Sequence, residues 1–122
     1  MAEVVTWDDV LACFADRSDP AGTVNRLTAE WAGRYGATGR KIGPESRVTR
    51  SVWTAEQVGS HLDRLAKIVP ALITDTPPRR LTGPLVLVDF GTGKIGQIDG
   101  RRRANVWRNM PGEYEVLTIC AY

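Results

Sequence analysis

Residues 84–108 read Pro84-Leu-Val-Leu-Val-Asp-Phe90, Gly91-Thr-Gly-Lys94, Ile95-Gly-Gln-Ile98 and Asp99-Gly-Arg-Arg-Arg-Ala-Asn-Val-Trp-Arg108. Leu85 to Val88 are apolar at every position, so an extended chain here needs cover on both of its faces. Glycines at 91 and 93 then turn the chain, and Lys94 to Ile98 returns as the second strand of a β-hairpin. The resemblance of Gly91-Thr-Gly-Lys94 to part of a P-loop is superficial, because the Gly-x-x-x-x-Gly-Lys spacing is missing and a strand, not a helix, follows. From Asp99 the apolar period becomes helical: Ala104, Val106, Trp107 and Met110 recur until Pro111-Gly112, and Tyr114 to Ala121 supplies a last strand.

Upstream, Thr6 and the acids Asp8 and Asp9 open an amphipathic helix with Trp7, Val10, Leu11 and Phe14 on one face. Asp19-Pro20 caps and starts a second helix, with Val24, Leu27, Trp31 and Tyr35 at the same spacing. Together they form a helical hairpin. Residues 36–44 carry no apolar period and read as a loop. Arg47 to Trp53 is a β-branched strand that leads into a helix over 55–69, announced by a Thr54/Gln57 capping box, striped by Val58, Leu62, Leu65 and Val69, and stopped by Pro70. Pro77-Pro-Arg-Arg80 is a rigid loop.

At 122 residues the chain fits one domain with a core of its own, and two full domains are excluded. Two cysteines 107 positions apart, Cys13 and Cys120, and a single histidine, His61, cannot make a zinc cage. No apolar run approaches the ~20 residues needed to cross a bilayer, and no basic-then-apolar leader is present, so a cytoplasmic setting without membrane contact is expected. Residues 1–35 hold six acids against three arginines, and residues 36–122 hold thirteen bases against eight acids. The later part is the one suited to an anion.

The helix opened by Asp99-Gly-Arg-Arg-Arg103 places three cations where the helix dipole favours anions, at about 0.3–1 kcal/mol each. At 100° per residue, Val106, Trp107 and Met110 mark the buried face, with Arg103 on it, Arg102 on its flank and Arg101 nearly opposite. Gly100 would let the backbone come close to a ligand, and the free N–H groups of the first turn would add donors. Two accounts stay open: a phosphate at Gly100, Arg101, Arg102 and Arg103, or an internal ion pair of Arg103 with Asp99 or Asp89 beside two solvated arginines. Asp99, Arg79, Arg80 and Arg108 are further candidates for the same site.

The succession of helix 55–69, strand Pro84 to Val88, hairpin and Asp99-Gly-Arg-Arg-Arg103 box opening a helix resembles the N-terminal domain of the ParB/sulfiredoxin superfamily over about residues 46–122. In that family a helix leads to a Pro-Leu-Val-Val-like strand, a hairpin, and a Gly-Glu-Arg-Arg or Asp-Gly-His-His-Arg box. The resemblance implies an α+β fold: a small mixed sheet with a ParB/sulfiredoxin-like core, preceded by a two-helix N-terminal extension over 1–35. It also implies a phosphate-binding turn, serving CTP in chromosome-partitioning proteins, ATP in sulfiredoxin and nucleic acid in ParB-like nucleases. Carried over, Gly100 to Arg103 form that turn, with Arg103 at the family's most regular arginine position. The departures narrow the activity. Sulfiredoxin's reactive cysteine is replaced by Arg101, the phage-type histidine by Arg102, which stays protonated and cannot serve as a base, and no helix-turn-helix follows as a CTP-gated clamp would need.

The expected function is therefore a small module binding a nucleotide (ATP or CTP) or a nucleic acid phosphate. One alternative is an interaction protein of phage or mobile-element type that engages a host protein complex through its acidic hairpin. The other is a metal-dependent nuclease or nucleotide-dependent phosphotransferase using Asp99 or Asp89; no spacing motif requires Asp63, Asp89 and Asp99 to gather around magnesium. Whether the protein is an enzyme is left open, and the sequence carries no signal of oligomeric state. His61, Cys13 and Cys120 read as structural, and most of Trp7, Trp31, Trp53 and Trp107 as core.

Overall fold

Leu85 to Val88 are fully enclosed, as their composition demands, and they divide two cores between them: Val86 and Val88 belong to one, Leu85 and Leu87 to the other. The computed structural model describes residues 3–37 and 41–122. Its elements are β1 (Glu3–Val5), α1 (Trp7–Ala12), α2 (Pro20–Tyr35), β2 (Val48–Thr54), α3 (Ala55–Ala66), a 3-10 turn (Pro70–Leu72), β3 (Leu85–Asp89), β4 (Ile95–Asp99), α4 (Arg101–Trp107) and β5 (Glu113–Cys120). The five strands make one sheet in the order β1-β2-β5-β3-β4. β3 and β5 run parallel and the other neighbours antiparallel, so the fold is α+β with a small mixed sheet.

The local signals act where the sequence places them. Asp19 caps α2 by accepting from Gly22 N at 3.1 Å, and Gly36 ends it in the left-handed conformation. Thr54 and Gln57 satisfy each other's backbone N–H groups at the start of α3. The hairpin turn is closed by Lys94 N donating to Gly91 O at 3.1 Å, with Gly91, Thr92 and Gly93 all at positive φ.

The two helices at the N-terminus are packed onto the sheet. Trp7, Val10, Phe14, Val24 and Trp31 share a core with Val86, Val88, Leu117 and Ile119, while Val58, Leu62, Ala104 and Trp107 cover the opposite face at Leu85, Leu87 and Val116. Burial of each large aliphatic side chain contributes roughly 1.5–3 kcal/mol before entropy is counted.

Several boundaries differ from the expectation. A short strand, β1, precedes α1 and pairs with β2, Val5 opposite Val48. α3 ends at Ala66, and Pro70 starts the 3-10 turn instead of terminating the helix directly. α4 spans only Arg101–Trp107, so Met110 lies beyond it and is exposed; the buried face is Arg103, Ala104 and Trp107, with Val106 half-buried. Trp53 is half-buried and the other three tryptophans are buried. Part of the loop expected over 36–44, residues 38–40, lies outside the described residues.

β4 is an edge strand, and α2 closes its open side. Trp31 Nε1 donates to Gln97 O at 3.0 Å and Tyr35 Oη donates to Ile95 O at 2.6 Å, leaving those carbonyls unable to template another strand. The close approach is possible because residue 96 is glycine: a Cβ there would lie 2.5 Å from Trp31 Cγ. Urea unfolding of Gly96→Val is therefore expected to show a loss of about 2–3 kcal/mol. Gly33→Ala, in α2 with open space at its Cβ position, is expected to gain about 0.5–1 kcal/mol; equal effects at the two glycines would contradict the packing described.

Candidate functional site

The turn between β4 and α4 is fixed from below. Gly100 has φ 92°, which favours glycine, and a Cβ on it would lie 2.6 Å from Leu85 Cδ2 and 3.3 Å from Leu85 Cα. What presses against this glycine is β3, so its small size serves the packing of the turn onto the sheet.

Arg103, which follows in the first turn of α4, points inward. Its side chain is 7% exposed, and its Nη2 donates to Pro84 O at 2.5 Å and lies 3.4 Å from Asp99 Oδ2. The guanidinium carbon sits 5.7 Å from the centre of the Trp107 ring, a cation–π distance. Its buried Nε has no hydrogen-bond partner among the described residues. Of the two accounts left open for Arg103, the internal pair with Asp99 is present; Asp89 instead accepts from Gly91 N at 2.8 Å in the hairpin turn.

A buried polar chain continues behind the turn. Gln97 Nε2 donates to Asp99 O at 2.5 Å, which leaves Gln97 Oε1 as the acceptor for His61 Nε2 at 2.7 Å. His61 is therefore held as the Nε2–H tautomer. Burial, the largest influence, holds its pKa below the ordinary histidine value, and it packs edge-on to Trp53. Of the packed and solvent-facing positions open to it in sequence, it takes the packed one and serves to hold β4.

Arg101 and Arg102 point outward onto a cavity of about 420 Å³ bounded by α2, the segment around residues 69–80, and the start of α4. Arg17, Arg34, Arg79, Arg80 and Arg103 also line it, against three carboxylates, Asp16, Glu30 and Asp99. Those acids are already engaged: Asp16 lies 3.8 Å from Arg79 and 4.0 Å from Arg17, Glu30 3.5 Å from Arg26, and Asp99 beside Arg103. Among the described residues, Arg34, Arg80, Arg101 and Arg102 have no carboxylate at ion-pair distance. A unit negative charge ~4 Å from one such guanidinium gains roughly 4 kcal/mol at the effective dielectric near a protein surface, before desolvation.

Arg34 was not among the residues the sequence singled out. It lies seven positions after Leu27 and three after Trp31, so the helical period that put Leu27 and Trp31 on one face of α2 also carries the signal for Arg34. Its guanidinium rests 5.2 Å from the Trp31 ring centre, which holds it in place. Arg80 Nη2 donates to Cys13 O at 3.4 Å and so ties the 77–80 loop to the end of α1. Arg108 is elsewhere: it pairs with Asp63 of α3 at 2.9 Å.

No three of the described His, Cys, Asp and Glu residues come together as a metal-ligand group. Cys13 borders the cavity, but burial, helped by Asp99, pushes its thiol up to about 11, so it stays protonated and is a poor nucleophile. Two acids of the N-terminal hairpin have structural partners as well: Asp9 accepts from Thr6 N at 2.9 Å in the capping box of α1, and Asp19 caps α2.

No protein-family model, curated protein or solved structure matches this chain. The chemistry of the site is that of an open, cation-lined concavity in which four guanidinium groups have no counter-ion among the described residues.

Two outcomes follow. Arg103→Ala strands Asp99 and the Pro84 carbonyl, so chemical denaturation is expected to show a loss of about 2–4 kcal/mol. Arg101→Ala and Arg102→Ala are expected to stay within about 0.5 kcal/mol of the unaltered protein; the reverse ranking would contradict the inward–outward division. The depressed pKa of His61 means the unfolded chain binds more protons as pH falls through about 6.5 and below. The melting temperature should accordingly hold above that pH and decline from there toward pH 5. His61→Gln should flatten that decline, and an identical decline in the variant would contradict it.

Proposed function

We propose that this chain is a phosphate-binding module of the ParB/sulfiredoxin type, which holds a nucleotide or a nucleic acid phosphate on the arginines of the 420 Å³ cavity. The observation that carries this is the convergence of Arg34, Arg80, Arg101 and Arg102 on one concavity whose acids are already paired. The order β2, α3, β3, β4, α4, β5 supports it, because the Asp99 to Arg103 box falls between the hairpin and the helix, in the context on which the family resemblance rests. The ligand class follows from charge and geometry. Guanidinium groups bind phosphate through planar, forked donors, and several converging from different elements select a multiply charged anion over a single carboxylate.

In this reading Arg101 and Arg102 contact the phosphates and Arg34 and Arg80 close the cavity from α2 and the loop. Arg103, with Asp99 and Gly100, positions the turn from inside. ATP and CTP are the nucleotides to try first. A catalytic role would need a base: the cavity's arginines stay protonated near neutral pH, and its carboxylates, Asp16, Glu30 and Asp99, each lie at ion-pair distance from an arginine.

Thermal melting in the presence of ATP, CTP, tripolyphosphate and a short oligonucleotide tests this. At about a hundred times Kd a ligand adds ~2.7 kcal/mol, or roughly 10 °C for a chain of this size. The Arg101→Ala/Arg102→Ala double variant should lose most of that gain, while Lys94→Ala in the distant hairpin turn should keep it. An unchanged melting temperature with all of these phosphates would contradict the proposal.

A further inference from the structure

The arginine cavity is not isolated, and its surroundings differ in charge from one side to the other. Arg102, exposed and without a carboxylate partner among the described residues, lines both this cavity and an adjoining groove of about 800 Å³ between residues 73–76 and α4. Most of the residues lining that groove are polar, but they include the exposed apolar side chains of Ile73 and Met110, 46% and 44% exposed, and the half-buried Val106. Its charged residues are Arg102 and Arg108 against Asp75. On the other side, through Arg80, the cavity meets a pocket of opposite character: Glu3, Asp9 and Glu115 there outnumber Arg50 and Arg80, and Arg50 is bound to Glu115 and lies 3.7 Å from Glu3.

An isolated phosphate or tripolyphosphate would use only the arginine cavity and leave the exposed Ile73 and Met110, reached across Arg102, uncovered. Resting on the phosphate-binding reading of that cavity, we infer that the ligand is a single-stranded polynucleotide of about three to four nucleotides in contact. Its phosphates lie on Arg101 and Arg102, and its chain passes over Arg102 into the α4 groove, where a base covers Ile73 and Met110. Past Arg80 the one further cation among the described residues of that pocket, Arg50, is already bound by Glu115 and Glu3, so nothing there draws the strand onward. Single strands are held by this combination of cations tracking the backbone and flat or apolar surfaces taking the unstacked bases. The Arg34 guanidinium, braced on Trp31, offers a second such surface inside the cavity. A duplex is read by an element that enters its groove, whereas these arginines line a concavity.

Fluorescence anisotropy with 5′-fluorescein oligothymidylates of one to eight nucleotides tests the inference on the intact protein. Affinity should rise about a hundredfold between one and four nucleotides and then level off, with a log–log salt slope of about −2 for three phosphate contacts. Ile73→Glu and Met110→Glu, both at exposed positions, should weaken the tetranucleotide about tenfold while leaving tripolyphosphate binding and the melting temperature of the free protein unchanged. A flat length series with mononucleotide binding intact would overturn the strand path and leave the phosphate site standing. Failure of every phosphate compound to bind would overturn both. Equal affinity for a duplex of the same length, equal displacement by polyglutamate, or no effect of either glutamate variant would also overturn the inference.

Discussion

The guanidinium of Arg103 is where three elements are joined. It donates to the carbonyl of Pro84 just ahead of β3, lies beside Asp99 at the end of β4, and rests against Trp107 within α4. A charge this deeply enclosed is tolerable only with partners, and it has them in a carboxylate, a carbonyl and an aromatic face. Its inward orientation sets that of its neighbours. On a helix, residues one and two positions before a buried one turn away from it by 100° and 200°, so Arg101 and Arg102 are carried toward the open cavity because Arg103 is anchored inside.

The cavity's charge follows from that anchoring combined with the packing of the N-terminal helices. α2 lies against β4 closely enough for Trp31 and Tyr35 to bond its edge carbonyls, and the same face carries Arg34 to the cavity. The 77–80 loop brings Arg79 and Arg80 from a third direction. Residues separated by almost seventy positions thus converge: α2 is held by apolar packing on the sheet, α4 by its buried face and Arg103, and the loop by the Arg80–Cys13 hydrogen bond. The acids that could have neutralised them have partners of their own, which leaves the potential of the cavity positive.

Much of the scaffold was legible in the residues themselves. Continuous apolar character over Leu85 to Val88 does imply cover on both faces, and the Asp19 and Thr54 caps, the Gly91 to Lys94 turn and the α3 stripe act through local chemistry that a sequence states directly. β1 was not legible: three residues, Glu3 to Val5, are too few to show alternation, and they become a strand only through pairing with β2. The buried face of α4 was misplaced because the helical period was extended to Met110, beyond the point where the helix stops at Trp107. For the site, the arginine box was visible, but its division into one inward and two outward side chains depends on Pro84 and Asp99 as partners. The helical period places Arg34 on the Leu27/Trp31 face of α2, but the approach of that face to the start of α4 is a tertiary contact that no local pattern encodes.

The division between Arg103 and its two neighbours can be observed directly in the arginine Nε–Hε resonances of an isotope-labelled sample titrated with ATP. The account predicts that the Arg103 signal exchanges slowly with solvent and barely moves, while those of Arg101 and Arg102, and with them Arg34 and Arg80, exchange fast and shift together at one saturating concentration. A fast-exchanging Arg103 signal that moves with the nucleotide while Arg101 and Arg102 stay still would contradict it.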